Sequence, residues 1–208
     1  SVDCIQASLM SALAQSYPSI EYLLIDDGCS DGTMDVVKQI VCNLQREDDV
    51  HIVTHQTNMG VSASRNQIID EAQGDYLYFM DSDDFIHPEW FARAIEVIAE
   101  YDPDCVMCDY REMADYEPMM GVLPPVKPQK IEHPFEILIQ KHSQIYPNLW
   151  TKMYKVATVG KQRFDKDIFY VEDLWFNIEF MTKVQSFYYL LCLSAYMFQV
   201  LPWTLCEP

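Results

Sequence analysis

From Val2 to Cys108, segments with helical spacing alternate with short strand-like runs that are apolar throughout rather than at every second residue. A strand with two apolar faces needs cover on both. The pattern therefore predicts an α/β fold in which a largely parallel central sheet lies between two helical layers. Ile5, Leu9, Ala12 and Leu13 recur at helical spacing over Val2–Gln15, and Tyr17-Pro18 ends that helix. A strand at Ile20–Ile25 runs into Asp26-Asp27-Gly28, and Asp31 or Thr33 then caps a helix reaching Arg46. Next come a strand at Val50–Thr54, a helix over about Ser62–Ala72 and a strand at Asp75–Met80. Pro88 opens a further helix, and Asp104–Cys108 forms the strand after it.

The pattern fails from Arg111 to Gln129, where Pro118, Pro124, Pro125 and Pro128 stand among polar residues. A long loop is expected there, serving as a lid, an acceptor-binding segment or a plain linker. A helix near Pro134–Lys141, an apolar stretch at Leu149–Tyr154, a helix from about Glu172 and a strand at Phe187–Leu193 complete the reading.

The 208 residues suit one large domain or a domain with a small appendage, and the formal net charge of −18 argues against a nucleic-acid partner, which needs clustered Lys and Arg. Seven cysteines, an odd number without a framework of spacings, favour a reducing cytoplasm. Cys105 and Cys108 lie in a strand-like run and lack a second pair for zinc, so they read as structural. No signal peptide is visible, and the apolar stretch Phe187–Leu201 is too short to span a membrane.

The apolar run Tyr78-Phe79-Met80 stops abruptly at Asp81, Asp83 and Asp84. Carboxylates this close repel one another, and a divalent cation with an anionic ligand would relieve them. In a parallel sheet the ligand edge is the C-terminal end of the strands, where both this cluster and Asp26-Asp27 fall. Taken singly, the cluster reads first as a solvated turn. Three other motifs fail on the letters. An EF-hand loop needs glycine where Ile86 stands, a phosphoaspartyl D-x-D-x-T needs Thr or Val where Phe85 stands, and no G-x-x-x-x-G-K-[ST] occurs. Two other features stand out. Arg65 falls in the first turn of its helix, where a cation is disfavoured, and so points to an anionic partner, a diphosphate or a protein carboxylate. Glu172-Asp173 stands at a helix N-terminus, where acids cap well.

In combination these stretches resemble the family 2 glycosyltransferases: Asp26 to Thr33 as D-D-G-x-x-D-G-T, Asn58 to Asn66 as N-x-G with A-x-R-N, Gly74 to Asp84 as G-D-Y-x-x-F-x-D-x-D-D, then Glu172-Asp173. Ser8–Pro18 and Trp150–Lys155 fit two further stretches of the family. The resemblance implies the GT-A fold, a Rossmann-like three-layer α/β/α domain. Residues 1–110 would form its donor-binding half and 111–208 its acceptor and catalytic-base half. It implies transfer, with inversion, of a sugar from a nucleotide-sugar donor, by lean a UDP-sugar, to a glycan or lipid-linked acceptor in surface polysaccharide biosynthesis. Mg²⁺ or Mn²⁺ is the expected cofactor. Asp173 would be the base and Glu172 its neighbour or an acceptor contact. Asp27, Arg65 and Asp81 would bind the nucleotide sugar, and Asp83 and Asp84 the metal. A cytoplasmic protein without a transmembrane segment, compatible with a peripheral place at a membrane, is expected. The family normally starts with a strand that this sequence does not include, which is expected to leave the base pocket incomplete. A sugar nucleotidyltransferase, which should carry a basic Gly-rich loop, and a non-catalytic nucleotide-sugar-binding module are the rival readings.

Overall fold

The structure is a computed structural model. It describes residues 2–113, 123 and 125–198, so most of the expected Arg111–Gln129 loop and the tail at Pro202–Pro208 lie outside the described residues. In chain order the elements are α1 (Val2–Leu13), β1 (Tyr22–Asp26), α2 (Thr33–Asn43), β2 (Val50–Thr54), α3 (Val61–Glu71), β3 (Tyr76–Tyr78), β4 (Asp84–Ile86) and α4 (Trp90–Tyr101). There follow β5 (Cys105–Met113), β6 (Gln129–Ile131), α5 (Pro134–Leu138), β7 (Lys152–Lys155), α6 (Val156–Val159), α7 (Glu172–Met181) and β8 (Phe187–Phe198).

β1 and β2 pair in parallel, from Tyr22 opposite Val50 to Asp26 opposite Thr54. The larger sheet has the order β3-β7-β5-β8-β4, with β6 sharing the outer edge of β8. β5 and β8 run parallel, whereas β7 lies antiparallel between β3 and β5, and β4 and β6 are antiparallel to β8. The expectation of a largely parallel sheet is therefore corrected to a mixed one. The βα alternation that signals parallel strands holds through β3, but β4 follows β3 and β6 follows β5 with no helix between them, and the four-residue β7 enters antiparallel between β3 and β5.

Residues of β5 alternate between two cores, as a strand with period two must. Cys105 and Met107 pack with Leu77, Tyr154 and Phe187 against α3, α5, α6 and α7. Val106 and Cys108 face the other way, with Met153 and Leu190, against Trp90, Phe91, Ala94 and Val97 of α4. Helices thus cover both faces, giving the expected three layers. A third core joins α1 and α2 to β1 and β2 through Leu9, Leu13, Val37, Val41 and Val50. Asp31 takes the place of a side-chain cap at the start of α2: its Oδ1 accepts from the Thr33 amide at 3.1 Å and the Thr33 hydroxyl at 2.6 Å.

Candidate active site

Two clusters form where the strands end. The first is centred on Arg65, which α3 buries to 6% exposure. Its Nη1 donates to Asp173 Oδ1 at 2.6 Å and to Glu172 Oε1 at 3.1 Å, and its Nη2 donates to Asp81 Oδ1 at 3.0 Å. The guanidinium also lies 5.5 Å from the centre of the Phe164 ring. That ring is fixed from α3 itself, since Asn66 Nδ2 donates to the Phe164 carbonyl and Asn66 Oδ1 accepts its amide. One cation facing three carboxylates meets the expectation of an anionic partner, although α3 begins at Val61 and so places Arg65 in its second turn rather than its first. Burial works against the charge, but Asp81, Asp173 and Glu172 together raise the pKa of Arg65.

α7 delivers Glu172 and Asp173 to this cation from its first turn. The preceding Val171 sits in the left-handed region at φ 58, a conformation that a β-branched residue adopts at a cost of about 1–3 kcal/mol. The helix is held by Asn177, which is fully buried: its Nδ2 donates to the carbonyls of Asp173 and Pro147, and its Oδ1 accepts from the Tyr154 hydroxyl. Burial pushes the carboxyl of Asp173 up to about 6; Arg65 and the Leu149 amide pull it down, while Asp81 and Glu172 push it further up. A carboxylate so tuned takes a proton efficiently near neutral pH.

The loop that carries Leu149 is fixed by Lys152. This buried amine donates to the carbonyls of Tyr146 at 2.5 Å and Asn148 at 2.6 Å, and burial lowers its pKa to about 8.

Asp83 is exposed in the turn before β4, and Asp84 is buried at the first residue of that strand. Burial, then the charges of Asp81, Asp83 and Asp173, raise the Asp84 carboxyl to about 8. Asp81 is committed to Arg65, whereas among the described residues Asp83 and Asp84 form no ion pair with a Lys or Arg. Among the described residues no three acid, His or Cys side chains converge on one cation position.

The second cluster lies at the ends of β1 and β2. Asp27 Oδ1 accepts from the Met59 amide at 2.7 Å and Oδ2 from the Gly60 amide at 2.8 Å, tying the Asp-Asp-Gly turn to the loop before α3. Gly60 needs its glycine, with φ 87 and ψ 162. At Gly28 (φ 80) a side chain would also stand only 3.2 Å from the Asn58 nitrogen. His55 completes the cluster, with Nδ1 at 2.7 Å from Asp27 Oδ1.

Arg65, Asp81, Glu172 and Asp173 therefore meet, and Asp84 lies within their field, whereas Asp27 belongs to the other cluster. The sequence reading missed His55. The signal was present, because Asp27 and His55 are the residues that follow the last paired positions, Asp26 and Thr54, of two parallel strands. It also passed over Val171 and the Leu149 amide, which only tertiary structure brings to the site.

The sequence model described as Glycosyl transferase family 2 matches residues 2–113. The chain belongs to that family. It is 27% identical over 180 residues to "Putative glycosyltransferase EpsH" of Bacillus subtilis (strain 168), an alignment covering 83% of this chain and 50% of that protein. It is 33% identical over 98 residues, 47% of this chain and 38% of the other, to "Putative teichuronic acid biosynthesis glycosyltransferase TuaG" of the same organism. The chain thus spans half or less of the length of these relatives. Among solved structures it is similar to S. aureus TarS 1-349 in complex with UDP-GlcNAc, with a TM-score of 0.75 and 22% identity over 97% of this chain and 56% of that one. Mannosyltransferase PcManGT from Pyrobaculum calidifontis, in complex with GDP-Man and Mn²⁺, gives a TM-score of 0.66 and 16% identity over 98% of this chain and 55% of that one. These likenesses show the fold, which is of the GT-A type.

Proposed function

We propose that this chain carries the donor site and the base of an inverting glycosyltransferase that moves a sugar from a nucleotide-sugar donor, a UDP-sugar, to an acceptor hydroxyl in surface polysaccharide biosynthesis. The observation that carries this reading is the pairing of Asp173 with Arg65 beside Asp81: a carboxyl tuned to about 6 stands in the same cluster as the acidic stretch that closes β3. The UDP-GlcNAc held by TarS and the role in TuaG's name support the donor and the pathway.

In this reading residues 1–110 bind the donor and residues 111–208 supply the acceptor side and the base. Ionised Asp173 accepts the proton of the acceptor hydroxyl as the oxygen forms its bond to the anomeric carbon. The bond from that carbon to the diphosphate breaks on the opposite face, and its electron pair leaves with the nucleoside diphosphate. Arg65 aims Asp173 and holds Asp81 toward the donor, and Glu172 contacts the acceptor. Asp27 accepts a ring N–H of the base.

Mg²⁺ or Mn²⁺ fits the donor set. Asp83 and Asp84 offer hard oxygen donors, burial and then the neighbouring acids Asp81, Asp83 and Asp173 raise the Asp84 carboxyl, and such ions take one or two carboxylates with the rest of their shell from phosphates and water. When bound, the cation would offset the charge that develops on the leaving diphosphate. We place the reaction in the cytoplasm, with a glycan or lipid-linked acceptor. The free thiols of Cys29, Cys42 and Cys105 suit a reducing compartment. Among the described residues no helix is long and apolar enough to cross a membrane.

The test is a thermal-shift series of nucleotide sugars with and without Mn²⁺, followed by a transfer assay with the donor that shifts the melting point most. Selective stabilisation by one UDP-sugar, with release of UDP on transfer, is expected. A flat response to every nucleotide sugar would contradict the reading.

A further inference from the structure

His55 follows β2 directly and stands between two fixed acceptors, with its side chain 7% exposed. Its Nδ1 is 2.7 Å from Asp27 Oδ1, and its Nε2 is 2.5 Å from Gln67 Oε1. An ionised carboxylate only accepts. The amide of Gln67 is oriented by its own Nε2, which donates to Glu71 Oε1 at 2.7 Å and so turns the carbonyl oxygen toward the imidazole. Both ring nitrogens must therefore donate, and imidazole does so only as imidazolium. The charged groups around the ring agree in sign: Asp26 and Asp27 at the end of β1, and Glu71 behind Gln67 on α3. Contact with Asp27, then with Gln67, raises the pKa of His55.

The consequence falls on Asp27. Its Oδ1 accepts from His55 and from the Met59 amide, and its Oδ2 from the Gly60 amide. A carboxylate offers about four lone-pair sites, so one remains, on Oδ2. The side chain is 21% exposed, which leaves that site within reach of a ligand. Uracil presents a ring N–H that such an acceptor can bind, whereas the equivalent nitrogen of cytosine is itself an acceptor.

We propose that His55, held as imidazolium, is a positioning residue that keeps Asp27 ionised and aimed, so that the donor site selects a uracil base over a cytosine base. The inference rests on the reading of Asp27 as the base acceptor. As the pH rises through the pKa of His55, Nε2 loses its proton and confronts the Gln67 oxygen, and the cation beside Asp27 disappears. Uridine nucleotide affinity then falls on the alkaline side.

Calorimetric titration with UDP and CDP, over about pH 6 to pH 9, tests this. The wild type is expected to bind UDP about tenfold more tightly than CDP at neutral pH and to lose UDP affinity toward alkaline pH. His55→Gln should bring the two affinities within about threefold and flatten the pH dependence, with Asp27→Asn removing the discrimination at every pH. A His55→Gln protein with wild-type discrimination and pH profile overturns the role of His55 while leaving Asp27 in place. Unchanged UDP binding by Asp27→Asn removes the base-acceptor reading and this inference with it. Nitrogen-15 spectra of the wild type need no variant: two protonated ring nitrogens at neutral pH are expected for His55, and one bare nitrogen overturns the proposal.

Discussion

The guanidinium of Arg65 and the carboxylate of Asp173 meet at 2.6 Å although they stand 108 positions apart in sequence. The pair joins α3, in the half expected to bind the donor, to α7, in the half expected to hold the base. It also explains how a buried acid remains usable: burial alone would keep Asp173 protonated, and Arg65 brings it back toward neutral pH.

Replacing Arg65 should therefore cost stability as well as activity. Arg65→Met leaves Asp81, Glu172 and Asp173 facing one another around a buried gap, a loss of about 3–5 kcal/mol in urea unfolding. Arg65→Lys keeps the charge but not the fork that reaches three carboxylates, and should lose less. A fully stable Arg65→Met protein would show that the cluster holds nothing together.

The pH dependence of kcat/KM should carry an acidic limb. The proposed base works only when ionised, so with the Asp173 carboxyl at about 6 the rate should fall tenfold per pH unit below that value and level off above it. In Arg65→Lys, with the paired cation displaced, Asp173 should hold its proton more tightly and the limb should move to higher pH. A limb that stays near the ordinary carboxylate range in both proteins would assign it to another group.

Metal addition should tighten nucleotide-diphosphate binding through Asp83 and Asp84. Mn²⁺ is expected to strengthen UDP binding to the wild type by tenfold or more and to leave an Asp83→Asn/Asp84→Asn double variant unaffected, as read by calorimetry. Chelation should return the wild type to the metal-free affinity. Equal response of both proteins to Mn²⁺ would move the cation elsewhere.

Much of this architecture is legible in the sequence. The strand at Val50–Thr54 and the helices around Val37, Ile69 and Trp90 follow from periodicity, and the cation near the start of α3 foretells an anionic partner. The partner is a set of protein carboxylates, which no local pattern could show because Glu172 and Asp173 reach Arg65 only through tertiary packing. β4, β6 and α6 contain three or four residues each, too few for a period to register. The antiparallel insertion of β7 between β3 and β5 likewise has no local mark, since pairing direction is decided by the connections. Val171 carries backbone strain that only the folded chain reveals.

The central claim is that Asp173 takes the proton during transfer while the donor is bound by other residues. The most direct test compares donor binding and turnover in Asp173→Asn, a change that keeps the shape of the side chain and a hydrogen-bonding oxygen for Arg65. We expect transfer to fall by about 10²–10⁴-fold, the usual worth of a general base, with nucleotide-sugar affinity within about threefold of wild type. Unchanged turnover in the folded variant would contradict the assignment of the base and with it the account of the site.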